Sequence, residues 1–173
     1  SHNRFGKIYS RKGNYDKSIE HYNKSLPTFV KIQDANGIQW TKRLLGIAYY
    51  DKGIYKTAIN YFNESHIVVK GMGFNIGVAN NHNILGLVYF QTKQYKEALQ
   101  HLDNAYKIRK MIGAPKRSLL YTSILIALIN KCLNNQYDVE NINDYNAHDA
   151  LLCIAQKSTI NQVNKCISIL KSK

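Results

Sequence analysis

Apolar and small residues recur at helical spacing along most of the chain, and the whole pattern repeats at an interval of forty residues. Phe5-Gly6-x-x-Tyr9 is followed by Leu45-Gly46-x-x-Tyr49 and Leu85-Gly86-x-x-Tyr89, without a gap between units. The register continues through Gly13/Gly53/Lys93, Tyr15/Tyr55/Tyr95, Ser18/Ala58/Ala98, Tyr22/Phe62/Leu102 and Ser25/Ser65/Ala105. Tyr15, Ser18, Ile19, Tyr22 and Ser25 form an i, i+3, i+4, i+7 stripe, as do Tyr55, Ala58, Ile59 and Phe62. Each unit therefore predicts two helices joined by a tight turn. Gly13 and Gly53 supply the permissive backbone needed just after a helix end, and Lys93 shows that the third turn manages without it. Gly6, Gly46 and Gly86 fall inside helices, where glycine costs about 1 kcal/mol relative to alanine, so close helix approach is expected at each. One hairpin cannot bury its stripe on both sides; the units must stack into a curved solenoid.

The pattern divides the chain, read as one domain, into repeats at about 1–36, 37–76 and 77–116, with Gly37 and Gly77 each opening a helix. A degenerate unit follows at 117–157. Ser118 to Leu133 reads as its first helix, with Leu125 and Ile126 in place of Leu-Gly and Ile129 in place of tyrosine. Asp138 to Asp149 reads as a loop before a helix at Ala147 to Lys157. The spacing of Ile160, Val163, Cys166, Ile167 and Leu170 predicts an amphipathic helix over 159–171 that caps the array. Only four residues precede Phe5-Gly6, so the first helix looks cut short and the chain reads as a piece of a longer protein, with Ser1-His2 as an expression remnant.

Leu45-Gly46, Tyr49, Ala58 and Phe62 resemble the tetratricopeptide repeat, whose pattern runs W-x-x-L-G-x-x-Y, then A-x-x-x-F, then P. Lys42 and His82 stand at the tryptophan position, the closing proline is missing, and the period is forty instead of thirty-four. In that respect the chain is similar to the long repeats of Pins-type adaptors, kinesin light chains and bacterial peptide-pheromone receptors. Six extra residues correspond to about 9 Å of added helix. The resemblance implies an all-α, right-handed α-solenoid of antiparallel helical hairpins with a C-terminal capping helix. It also implies a protein- or peptide-binding scaffold, a signalling role, and a concave groove lined by the first helix of each pair.

On that surface fall Lys7 and Ser10, then Trp40, Arg43, Ile47 and Tyr50, then Asn80, Asn83, Leu87 and Phe90. Asn80 and Asn83 can hydrogen-bond a peptide backbone, Trp40, Tyr50 and Phe90 offer apolar anchors, and Lys7 and Arg43 can meet carboxylates. The alternative is that the aromatics fill space between repeats and the asparagines face water. A regular carboxylate clamp of lysine and asparagine is present only in fragments.

Charge adds to this picture. The 173 residues carry a formal net charge of +13, which favours an acidic partner or surface, although coding bias toward lysine is an equal explanation. Lys107, Arg109, Lys110, Lys116 and Arg117 surround Gly113-Ala114-Pro115 as a basic patch. It reads first as a solvated helix end and second as a phosphate-contacting surface, with nucleic acid disfavoured because no base-reading motif accompanies it. Cys132, Cys153 and Cys166 are odd in number and outside metal or redox spacing, so they read as reduced thiols and favour the cytoplasm. No apolar window is long enough to span a bilayer.

Candidate chemistry is sparse. His2, His21, His66, His82, His101 and His148 form no i, i+4 pair and join no cysteine at ligand spacing, so a metal is not expected and His21 and His101 read as helix-surface residues. Gly71, Gly73 and Gly77 lack the Lys-Ser/Thr of a phosphate loop, and no G-x-S-x-G elbow occurs. No cofactor and no enzymatic activity are therefore expected. The expected function is a scaffold holding a partner segment; the alternatives are the sensing domain of a bacterial transcription regulator or sensor kinase, and a basic nucleic-acid-binding surface. Open solenoid ends expose apolar area through which a homodimer can form.

Overall fold

The computed structural model describes residues 2–132, which contain seven helices. These are α1 (His2–Arg11), α2 (Tyr15–Lys31), α3 (Ala35–Asp51), α4 (Tyr55–Gly71), α5 (Asn75–Gln91), α6 (Tyr95–Met111) and α7 (Lys116–Cys132). The principal packing pairs are neighbours in sequence, from α1 on α2 through α6 on α7, which is the stacking of an all-α solenoid of hairpins. The predicted loop, second helix of the degenerate unit and capping helix lie outside the described residues.

From α2 onward every helix is 17 residues long. The cause lies in the turns. A residue with positive φ recurs every twenty positions: Gly13, Gln33, Gly53, Gly73, Lys93 and Gly113, with φ between 54° and 82°. Each stop carries the same two hydrogen bonds. At the first, the Gly13 amide donates to the Ser10 carbonyl and the Asn14 amide to the Tyr9 carbonyl; at the fourth, Gly73 donates to Lys70 and Phe74 to Val69. This is the Schellman pairing, which satisfies carbonyls that the end of a helix leaves without partners. The residue that closes the stop also begins the next helix. Asn14 and Asp34 each place a side-chain oxygen on a first-turn amide, of Lys17 and Gly37 respectively. Helices α3 and α5 accordingly open at Ala35 and Asn75, two residues before the glycines expected to open them.

The interior glycines are sites of close approach. A Cβ added to Gly6 would lie 2.3 Å from the Tyr22 ring, one at Gly46 would lie 2.6 Å from Phe62, and one at Gly86 would lie 2.7 Å from Leu102. These three partners are at most 1% exposed and are themselves forty residues apart, so each hairpin closes with a bulky second-helix side chain seated on a first-helix glycine. Between hairpins the seam is partly polar. The Ser65 hydroxyl donates to the Gln39 carbonyl while the Asn81 amide donates to Ser65, a buried bridge across α3, α4 and α5. One repeat earlier Asn3 plays the corresponding part, donating to Thr41 and accepting from Ser25.

Gly46→Ala tests this packing by its sign. In an ordinary helix interior the substitution stabilises by about 1 kcal/mol; here the Phe62 ring must move, and a loss of about 1–3 kcal/mol is expected. Chemical denaturation measures it, and in a Phe62→Ala background the same substitution should cost much less.

Candidate partner-binding groove

The first helices of successive hairpins, α3, α5 and α7, line one face of the solenoid, and a groove of about 820 Å³ runs between them. Arg43, Ile47, Tyr50 and Asp51 line it from α3, Asn80, Asn83, Ile84 and Leu87 from α5, and Ser118 and Tyr121 from α7. Helical periodicity explains the set: each of these first helices presents residues spaced three and four apart to the same side. Apolar area from Ile47, Ile84 and Leu87 alternates with amide, hydroxyl and charged groups, a lining able to bury side chains and orient a backbone.

The sequence-derived groove residues divide. Arg43, Ile47, Tyr50, Asn80, Asn83 and Leu87 do line the groove. Phe90 does not: it packs against the buried cluster of Ala98, Leu102 and Ile129, with its ring 5.8 Å from that of Tyr95. Trp40 and Lys7 are outside its lining as well. Trp40 is 37% exposed, and the Lys7 ammonium and Arg43 guanidinium sit 4.8 and 4.3 Å from the indole centre. These are cation–π contacts that hold Arg43 at the groove's edge.

The largest correction concerns Arg109, placed by sequence in the exterior basic patch. It is 8% exposed, and its guanidinium reaches between α5 and α7 into the groove wall. It donates to the Asn80 side-chain oxygen at 3.0 Å, the Ser118 carbonyl at 3.1 Å and the Thr122 hydroxyl at 2.5 Å. With its amide turned to satisfy both ends, Asn83 adds an oxygen 2.9 and 2.6 Å from the two terminal nitrogens. Asn80 and Asn83 thus spend their acceptor oxygens on an internal cation instead of facing water. Lys107, Lys110 and Lys116 remain exposed outside; the Arg117 side chain lies outside the described set.

Asp51 is the acid of the groove. It is open to solvent as a residue, but the walls around its carboxyl desolvate it and push its pKa up to about 6. Desolvation lowers the pKa of both Arg43 and Arg109.

His21 and His101, read from sequence as helix-surface residues, are half-buried in ring stacks. In each of the three hairpins described in full a first-helix tyrosine stacks on a second-helix ring twelve residues later: Tyr9 on His21 at 5.3 Å, Tyr49 on Tyr61 at 5.5 Å and Tyr89 on His101 at 5.3 Å. His82 Nδ1 lies 2.9 Å from His101 Nδ1, and the His66 ring meets His82 edge-on at 4.7 Å. A hydrogen bond between two Nδ1 atoms needs one protonated nitrogen and one lone pair, so the pair cannot hold two charges. Burial, reinforced by His66, His101 and Lys70, pushes His82 down to about 4. Among the described residues no group of three or more His, Cys, Asp or Glu is placed to hold a metal ion, and no helix is long and apolar enough to cross a membrane.

Stacked helical hairpins with interlocking glycines and a lined inner face define a helical-repeat solenoid. Family models for the tetratricopeptide repeat match residues 1–66 and 79–110. These segments make up more than half of the chain, which belongs to that family. Among solved structures, BtubC (BKLC) from P. vanneervenii is similar with a TM-score of 0.74 at 16% identity, over 99% of this chain and 64% of its own. The apo form of RapI gives 0.73 at 21% identity, over 94% of this chain and 44% of its own. A P. anserina protein with nearly identical TPR-like repeats, named for kinesin light chain, gives 0.68 at 12% identity, over 98% and 90%. At these identities the likeness is one of fold, and the chain spans less than two thirds of BtubC and less than half of RapI. No curated protein matches the sequence.

The His82 environment makes stability depend on pH. The native ring resists protonation down to about 4, whereas the unfolded ring accepts a proton near 6.5. Stability is complete above the unfolded value and falls as pH drops through that window, by at most about 1.4 kcal/mol per pH unit for one proton. Asp51 works against it, since a carboxyl raised to about 6 takes its proton more readily in the native state. Thermal melts at pH 7.5 and 5 should show a lower Tm at the acid value, with a smaller drop in His82→Gln and a larger one in Asp51→Asn. Identical drops in all three proteins would remove both assignments.

Proposed function

We propose that this chain is a binding module that holds an extended or helical segment of a partner protein, or a free peptide, in the groove of α3, α5 and α7. Tetratricopeptide repeats in general mediate protein–protein interactions, and the observation that carries the reading here is the lining: apolar Ile47, Ile84 and Leu87 interleaved with polar and charged side chains on three helices. Such a surface suits a segment that buries some side chains and presents its backbone or charges to others.

The same groove serves equally in an adaptor or in the sensing half of a bacterial regulator, because the two differ only in what is attached. A nucleic-acid surface is weakened by the inward position of Arg109, which leaves fewer clustered cations outside. A cytoplasmic setting follows from reading the cysteines as reduced thiols.

Position-specific photocrosslinking tests the groove. A benzoylphenylalanine in place of Tyr50 lies in the groove, whereas one in place of Ile67, which is 70% exposed, lies outside its lining. In lysate the first should yield discrete adducts that competing groove ligand or Arg43→Glu removes. Adducts formed only from position 67, or nucleic acid alone in both, would overturn the proposal.

A further inference from the structure

We infer that the groove selects an occupant carrying an oxyanion, the carboxylate or phosphoryl group of a peptide, at the place where it passes between Arg43 and Arg109. This rests on the groove reading above and adds the chemistry of what is held.

Arg109 is a buried cation whose hydrogen-bond partners are all neutral: two amide oxygens, a hydroxyl and a backbone carbonyl. Neutral dipoles fix the direction of a guanidinium without cancelling its charge, and moving such an ion out of water costs several kcal/mol unless an opposite charge is near. Arg43 is incomplete in a different way. Its guanidinium lies over the Trp40 ring at 4.3 Å, while its Nε is buried and has no hydrogen-bond partner. Among the described residues the ion pairs are Lys24–Glu20, Lys42–Glu64 and Lys52–Asp16; none involves an arginine.

Two arginines therefore border one groove with no carboxylate bound to either, although Asp51 lines the same groove. An arriving oxyanion meets the Arg43 guanidinium, held over Trp40, on one side and the buried charge of Arg109, fixed by Asn80, Asn83 and Thr122, on the other. It can accept hydrogen bonds from the terminal nitrogens of Arg43, whereas those of Arg109 are already given to Asn80, Asn83, Ser118 and Thr122, so Arg109 contributes its uncancelled charge. Because Asp51 repels an anion, the oxyanion is confined to the arginine-bordered part of the groove, which sets the direction in which a segment lies.

Selection of random dodecapeptides by display on the folded protein at physiological salt tests the inference. Arg43→Gln removes the guanidinium that lies over Trp40. Lys110→Gln removes the same unit of charge from an exposed site outside the groove and controls for the basic surface as a whole. The expected result is strong enrichment of Asp or Glu at one or two positions. A selected peptide should lose about tenfold in affinity, or about 1.4 kcal/mol, when that acid becomes its amide or when Arg43 becomes Gln, and change little with Lys110→Gln. Arg109→Met, checked for folding by circular dichroism, removes the buried charge and should weaken the same peptide. Repeating the measurement with a C-terminal amide, or with phosphoserine in place of the acid, distinguishes a side-chain carboxylate, a chain end and a phosphoryl group. Selected peptides without acidic enrichment would overturn this inference and leave the groove reading standing. Equal losses from Arg43→Gln and Lys110→Gln would assign the preference to net charge and also overturn it. No selected peptide at all would overturn both.

Discussion

The architecture depends on one backbone constraint: a residue in the left-handed conformation every twenty positions, each closing a helix with the same pair of hydrogen bonds. With a stop at that interval, a 17-residue helix and a three-residue link fill the space between successive stops. Alternate helices then run in the same direction, and corresponding side chains of α3 and α5 come to the same face in the same register. The groove is thus a consequence of regular turns. It needs no special segment of its own.

The turn sets spacing, and the glycine contacts set how near two helices come. Tyr22, Phe62 and Leu102 differ in shape, yet each occupies the space that a first-helix Cβ would need. This allows the second-helix residue to vary while the glycine is retained across the three repeats. In the same hairpins the rings of Tyr9, Tyr49 and Tyr89 stack on those of His21, Tyr61 and His101. The tryptophan position of the family pattern is taken by Lys42, bound to Glu64, and by His82, beside His101.

The forty-residue period, the buried stripe and the need for close approach at Gly6, Gly46 and Gly86 were all legible in sequence because they are local or strictly periodic. The twenty-residue cadence was obscured at Gln33, which adopts a conformation usually given to glycine, whereas the turn at Lys93 was placed by its register with Gly13 and Gly53. The stacked rings were missed because His21 and His101 are polar by type, although each stands twelve residues after a repeat tyrosine beside the aromatic Tyr61. Arg109 was misread because Lys107 and Lys110 flank it. The useful signal was vertical: its counterparts one and two repeats earlier are Val69 and Phe29. What sequence could not supply was its reach across to Asn80 and Thr122, which depends on where α5 and α7 stand.

That vertical comparison bears on what the third repeat is for. Val69 is fully buried, and both it and Phe29 press against a glycine, Gly77 and Gly37 respectively. In the third repeat the apolar residue becomes Arg109 and the glycine position becomes Arg117, so this junction departs from the close apolar fit of the first two. An arginine here gives up apolar burial and requires Asn80, Asn83 and Thr122 to be dedicated to it, a costly arrangement compared with another valine. Solenoid stability asks only for more of the same at each junction. A buried cation confined to the junction that borders the groove is therefore better understood through what approaches from the groove than through anything the helices need from one another.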